Sequence, residues 1–255
     1  MKSKEEQFAE INDYFDAIYV ITLDGYTERQ QSIIEHFEGL KYTFWAGTDK
    51  RKLPENTMHN KALYDDVAHK LTKRTSRSMS LGEYCCAMSH VNIYKDMIEK
   101  KYKRVLIFED DAVPVTTEIP FFSEQMSSLP NDWDLVLFDY YDHYLPTIQT
   151  TVKQFIYHLY HSLHIANWHL VPRKLIDRIV MKEFNQHFFI PGKVSGSHSY
   201  AISEKAAKHY IEYQTPVKLQ ADRIFYYYQQ YEVLNEFASK KPIFTTGEVA
   251  KVTTI

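Results

Sequence analysis

The stretch RVLIFEDDAVP, Arg104 to Pro114, is a short apolar run that stops at three adjacent carboxylates, Glu109, Asp110 and Asp111. Like charges this close repel, so the triplet needs a cation, a partner or open solvent. Hard divalent ions such as Mg²⁺ and Mn²⁺ prefer oxygen ligands and often share them with substrate phosphates. Side chains alternate along extended backbone, so Glu109 and Asp111 are expected to face one pocket while Asp110 turns aside. The same triplet also fits a solvated strand end or a helix cap.

Other residues carry similar pairs of readings. Glu83 could stand near a substrate, but Ser80 and Glu83 have capping-box spacing, which accounts for it fully. His90 falls on roughly the same helical face as Glu83 and could be packed, exposed or catalytic. His198, in SGSHSYAIS, precedes an apolar strand; its imidazole could complete a Mn²⁺ shell or serve the structure. Asp222 opens a predicted helix, as an N-cap or as a general base. Cys85 and Cys86 are adjacent, a geometry that strains an ordinary disulfide, and read as buried small residues. The 12 histidines match no standard zinc spacing.

Several elements must position these groups. AIYVITL, Ala17 to Leu23, reads as a buried strand. Thr27 and Gln30 have capping-box spacing, so a helix is expected from Glu28. YTFWAGTD reads as a second strand closed by Gly47. Residues 50–78 are basic and irregular, with some helix around Asn60 to His69. SLGEYCCAMSHVNIYKDMIEKK is the clearest helix, with Leu81, Met88 and Ile98 among its core candidates. RVLIFE and DWDLVLFDYYD follow as strands, the second ending in Asp139. Residues 141–165 are rich in Tyr and His and resist assignment. HIANWHLVP and SGSHSYAIS are further strand candidates. Ser203 caps a helix over Glu204 to Glu212, and ADRIFYYYQQYEVL is another helix. From Lys240 the chain is loop or extended.

Strands alternating with helices predict an α/β fold with a mostly parallel central sheet covered on both faces. Ligands in such sheets bind beyond the carboxyl ends of the strands. Asp24, the 109–111 triplet and Asp139 all fall at those ends.

Composition narrows the function classes. A net charge of -3 gives no global pull toward nucleic acid. The N-terminus carries no signal-peptide pattern, and no segment approaches bilayer-spanning length. With two cysteines the expected setting is reducing and cytoplasmic. Any membrane contact, at the inner membrane, is expected to be peripheral. The 20 Tyr and 15 Phe suit a wet, amphipathic cleft.

Taken in order, these segments resemble glycosyltransferase family 25, whose members include lipooligosaccharide galactosyltransferases and relatives of the collagen galactosyltransferase domain. The family pattern LSLGEIGC-x-x-SH followed by LILEDDV is matched by MSLGEYCCAMSH, Met79 to His90, and VLIFEDDAV, Val105 to Val113. IYVITLDGYTERQ resembles the family's opening, GSHSYAISEKAAKHYI its later G-T-H-A-Y segment, TPVKLQADRIF its PVD region, and KPIF…TTI its close. Cys85 stands where the family usually has glycine. Lys218 stands at the PVD aspartate, and Asp222 lies four residues later.

The resemblance implies a single GT-A-type domain over 1–255, with a nucleotide-binding half at about 15–140 and an acceptor-side half at about 141–255. It implies a D-x-D-type centre in which Asp111, Glu109 and His198 hold Mn²⁺ or Mg²⁺. Thr22, Leu23, Asp24, Arg29 and Asp49, with Glu109 and Asp110, would bind a UDP-sugar donor. Inverting transfer to a glycan or glycolipid acceptor, such as lipooligosaccharide, needs a base. Asp222, Asp139 and Glu83 are the candidates. UDP-galactose is the expected donor; UDP-glucose or UDP-GalNAc is an alternative. So are a metal-dependent phosphoryl-transfer enzyme and a sugar-nucleotide-binding protein with a degenerate site.

Overall fold

The apolar runs assemble into one eight-stranded sheet in the computed structural model, which describes residues 4–141 and 144–247. The strands are β1 (Ala17–Thr22), β2 (Thr43–Ala46), β3 (Arg104–Glu109), β4 (Ala112–Pro114), β5 (Leu135–Tyr141), β6 (Lys182–Glu183), β7 (Phe188–Ile190), β8 (Ser195–Ser203), β9 (Glu236–Ser239) and β10 (Phe244–Thr246). The sheet order is β2-β1-β3-β8-β5-β9-β7-β6, and β4 pairs with β10 in a separate two-stranded ribbon. Parallel pairing joins β1 to β2 and β3, and β5 to β9, while β8 runs antiparallel between β3 and β5. The sheet is therefore mixed but mostly parallel in strand direction. Its short edge, β7 and β6, pairs antiparallel.

Helices cover both faces: α1 (Lys4–Tyr14), α2 (Thr27–His36), α3 (Asp66–Lys73), α4 (Leu81–Glu99), α5 (Phe122–Ser127), α6 (Ile148–Ser162), α7 (Arg173–Asp177), α8 (Glu204–Tyr213) and α9 (Arg223–Tyr227). Strand alternation divides the core. Ile18, Val20, Leu106, Phe108, Val136 and Phe138 point to the side of α1, α2 and α5. Tyr19, Val105, Ile107, Leu135, Leu137, Tyr200 and Ile202 point to the side of α4, α8 and α9. Each such side chain, fully buried, is worth about 1.5–3 kcal/mol of transfer free energy.

The caps of α4 and α8 form as their residue types predict. Ser80 and Glu83 close the reciprocal capping box on α4, and Ser203 accepts from the Ala206 N–H on α8. Leu81, Met88 and Ile98 are partly buried against the core, while Tyr84, Cys85, Val91, Ile93, Tyr94 and Met97 fill it.

Three expectations are corrected. Thr27 lies inside α2 rather than capping it: Tyr26 precedes the helix and makes no side-chain cap. HIANWHLVP is not a strand but a 3₁₀ segment, Ile165–Leu170, kinked at Ala166 and Asn167, whose positive φ values no extended strand has. The long helix expected over ADRIFYYYQQYEVL is five residues of α9 followed by a 3₁₀ turn, Tyr228–Tyr231. The unassigned 141–165 region holds α6. The chain after Lys240 is extended through β10; the TTI close, Thr253 to Ile255, lies outside the described residues.

Candidate active site

The antiparallel register of β3 and β8 builds the site. Phe108 faces Ser199, so the acidic end of β3 meets the start of β8, where Ser197 and His198 stand. Glu109 continues the α4-facing row of Val105 and Ile107; Asp110 continues the α2-facing row of Leu106 and Phe108. The triplet thus splits as alternation predicts.

On the α2 side Asp110 is fully engaged. Arg29 Nη1 lies 2.6 Å from Oδ1, and the Thr22 hydroxyl donates to Oδ2 at 2.8 Å. Burial raises the Asp110 pKa, and the bonds from Arg29 and Thr22 work against that. Asp110 therefore ties the ends of β1 and β3 to α2.

On the α4 side Glu109 receives the Ser197 hydroxyl and has His90 Nε2 at 3.7 Å. His90 Nδ1 is 2.6 Å from the Tyr200 hydroxyl, which is 2.7 Å from that of Tyr94. This buried chain fixes the imidazole against the carboxylate. Burial alone would raise Glu109, but the nearby imidazoles of His90 and His198 and the Ser197 hydroxyl bond outweigh it and bring the group to about 2.

His198 Nδ1 lies 3.3 Å from Asp111 Oδ1 and 3.9 Å from Glu109 Oε2. Burial would lower its pKa; the bond to Asp111 and the charges of Glu109, Asp111 and Asp139 instead hold it at about 9. Gly196 makes room for this ring. Its φ is +98°, and a Cβ there would stand 3.2 Å from His198 Cδ2. The Tyr141 ring meets the imidazole edge-on, centroids 5.5 Å apart. Asp139 sits where β5 departs from regular register with β8; burial pushes its carboxyl up, against the charge of His198.

These groups open onto a cleft of about 500 Å³ whose lining includes Glu109, Ser197, His198, Glu83, Asp222, Lys73, Arg77 and Arg223. Asp222 makes no side-chain cap on α9, a correction to the N-cap reading; its Oδ2 accepts the Gly196 N–H at 3.1 Å. Glu83 keeps its capping role and also receives Arg77 and, at 3.1 Å, Gln220 Nε2. Burial would raise Glu83, but the bonds from Ser80 and Gln220 and the Arg77 charge lower it.

The remaining donor-side candidates gather at the ends of β1 and β2. Leu23 O accepts from Gln30 Nε2 at 3.2 Å. Asp24 is exposed and pairs with Lys52 at 2.7 Å. Asp49 is buried, caps the turn Lys50–Lys52 and pairs with Arg51 at 2.7 Å; the Arg51 bonds hold its carboxyl at about 2. Lys218, at the PVD position, places its ammonium 4.5 Å from the Tyr213 ring centroid.

Sequence reasoning missed Tyr200, Ser197 and the cations Lys73, Arg77 and Arg223. The basic tone of residues 50–78 is a signal for Lys73 and Arg77 alone. Cys85 is buried, but Cys86 lines the cleft, and burial pushes its thiol well above the usual range.

The donor set suits a divalent ion. One ligand atom from each of Glu109, Asp111 and His198 lies within 4.8 Å of the other two. Two carboxylates with one imidazole are an acceptable set for Mn²⁺. Among the described residues His198 Nε2 is buried without a hydrogen-bond partner, and Nδ1 is the ring nitrogen that faces the acids.

Residues 15–225 match the family model described as glycosyltransferase family 25 (LPS biosynthesis protein). A glycosyltransferase 25 family member of Anopheles gambiae is 31% identical over 134 residues, 48% of this chain and 21% of that protein. Lipooligosaccharide biosynthesis protein lex-1 of Haemophilus influenzae is 24% identical over 214 residues, 76% of this chain and 62% of its own. Human procollagen galactosyltransferase 2 is 26% identical over 131 residues, 48% of this chain and 20% of that protein. The chain thus spans about a fifth of the length of the insect and human relatives.

Proposed function

Because the chain belongs to glycosyltransferase family 25, we propose that it moves a hexose, galactose from UDP-galactose, onto a glycan such as lipooligosaccharide, with inversion at the sugar. The observation that carries this reading is the convergence of Glu109, Asp111 and His198 on one side of the strand ends, beside the cleft. Glu109, Asp111 and His198 would hold Mn²⁺ or Mg²⁺, which when bound offsets charge on the leaving UDP. Asp110, Thr22 and Arg29 fix the triplet; Leu23, Asp24 and Asp49 border the nucleotide.

In a single in-line displacement the acceptor hydroxyl oxygen bonds to the anomeric carbon as the bond to the UDP oxygen breaks. The hydroxyl proton passes to a carboxylate within hydrogen-bond reach. Asp222 is the first choice, since it lines the cleft and Gly196 orients it. Asp139 is the second. Glu83, engaged by Ser80, Arg77 and Gln220, orders the cleft wall instead.

Contact with a membrane-borne acceptor is supported by α6. Its Ile148, Val152, Phe155 and Leu159, with Leu163 beyond it, form an exposed apolar stripe. Residues 144–176 contain no Asp or Glu, which suits an anionic surface. Among the described residues no helix is long and apolar enough to cross a membrane.

The test is UDP release from UDP-galactose, UDP-glucose and UDP-GalNAc, with Mn²⁺, with and without a lipooligosaccharide acceptor. Acceptor-dependent release from UDP-galactose, abolished in Asp111→Asn with an unchanged circular dichroism spectrum, is expected. Full activity in Asp111→Asn would sink the metal assignment. Release that ignores the acceptor would favour hydrolysis, and UDP binding without turnover a binding protein.

A further inference from the structure

Beyond Asp222 the cleft wall changes sign. Lys73 and Arg223 line the cleft itself. Behind them, Arg74 lies over Trp168, 4.3 Å from the ring centroid, and Trp168 stacks on Tyr157 at 4.1 Å. Lys153 and Lys193 share the Tyr144 ring, at 5.0 and 5.9 Å from its centroid.

These cations form one neighbourhood: the Tyr144, Tyr157 and Trp168 rings beneath them pack in one cluster with Tyr226 and Tyr227 of α9, the helix that starts with Arg223. Burial, then the charges of Arg223, Arg74, Lys153 and Lys73, depress the half-buried Lys193 ammonium. Burial and Arg223 do the same to Lys73, against Asp222 and Glu83. Lys73 Nζ donates to Gln220 Oε1 at 3.1 Å, and Arg223 Nε stands 3.6 Å from Asp222. Among the described residues, no carboxylate comes within ion-pair distance of Lys73, Arg74, Lys153 or Lys193. A chain of net charge -3 has acids enough to neutralise them. Gathering like charges costs stability unless an anion arrives to offset it.

We propose that Lys73, Arg74, Lys153, Lys193 and Arg223 form a subsite for an acidic substituent, phosphate or carboxylate, on the acceptor sugar. Lysine and arginine are the residue types that bind such groups, with arginine in bidentate fashion. The aromatic rings under Arg74, Lys153 and Lys193 hold the cations in place without neutralising them. The elements that carry the cluster, α3, α6, α9 and the turn before β8, are distinct from those carrying Glu109, Asp111 and Thr22. An acid on the acceptor could therefore dock while the donor's diphosphate is bound elsewhere. Asp222, between the two, would meet the acceptor hydroxyl. The subsite rests on the transferase reading only in calling its ligand the acceptor.

Calorimetric titration of the whole chain with glucose 6-phosphate, glucuronate and glucose, each with saturating UDP and Mn²⁺ present, tests it. One or both acidic sugars should bind and glucose should not. Comparing phosphate with carboxylate identifies the group. High salt should weaken binding to the unaltered protein, which needs no variant to fold. Lys193→Gln with Arg74→Gln should cost about tenfold or more in acidic-sugar affinity, with UDP affinity unchanged. Equal binding of glucose, no binding of either acidic sugar, or an unaffected double variant would overturn the subsite. Failure of UDP itself to bind would count against the donor reading and leave the acidic-sugar titration to be read on its own.

Discussion

At the scale of the residue, three adjacent carboxylates have three different positions. Asp110 is locked between Arg29 and Thr22, Glu109 between Ser197 and His90, and Asp111 faces His198. This separates stability from turnover. Asp110→Ala removes the buried carboxylate that the Arg29 guanidinium and the Thr22 hydroxyl bind. Breaking such a pair should cost about 3 kcal/mol, a fall in Tm on the order of 10 °C. Asp111→Asn keeps the shape and should leave Tm nearly unchanged while turnover disappears. Thermal melts and UDP release on both variants check the contrast; a melt lowered equally in both would contradict it. The split of the triplet was legible in the sequence because alternation in a strand is local. The partners were not. His90 and Ser197 reach Glu109, and Tyr200 reaches His90, only through α4 packing and the β3–β8 register, which no neighbouring residue encodes.

At the scale of the element, the well-read segments are those whose signals are local and strong. The Ser80 and Ser203 caps and the apolar runs of β1, β3, β5 and β8 are such cases. The reversed direction of β8 was not readable, since a buried strand looks alike in parallel and antiparallel company. The α6 stripe was present at helical spacing, but interleaved Tyr and His blur the contrast between its faces. Phe155 is 62% exposed and Leu159 44%, so neither supports the core. Phe155→Glu with Leu159→Glu should therefore leave the melt unchanged. Each lost insertion is worth about 1.5–3 kcal/mol, so co-sedimentation with anionic vesicles should fall at least about tenfold. Unchanged sedimentation would remove α6 as the membrane contact.

At the scale of the whole molecule, β8 from the later part of the chain lies between β3 and β5 of the earlier part, so the sheet and the site form together. Beyond β5 the same sheet holds β9, which starts with a buried acid. Glu236 receives the Tyr210 hydroxyl at 3.0 Å, while among the described residues Oε2 is buried without a hydrogen-bond partner. Burial raises its pKa to about 8, with the Tyr210 bond and the Arg178 charge opposing. Below the ordinary glutamate range both folded and unfolded chains carry the proton, and the group contributes nothing to the pH slope. Between that range and about 8 the unfolded chain ionises while the folded one stays protonated. The folded state then binds more protons, so stability falls as pH rises across that window. At about 1.4 kcal/mol for each pH unit crossed, the loss amounts to a few kcal/mol. Glu236→Gln keeps the size and the acceptor for Tyr210 but cannot ionise. Denaturant melts of both proteins from pH 5 to pH 8.5 should therefore converge at the acid end and separate toward the alkaline end, with the variant the more stable. Parallel curves would mean that Glu236 is ionised in the fold, and that β9 tolerates a charge its burial argues against.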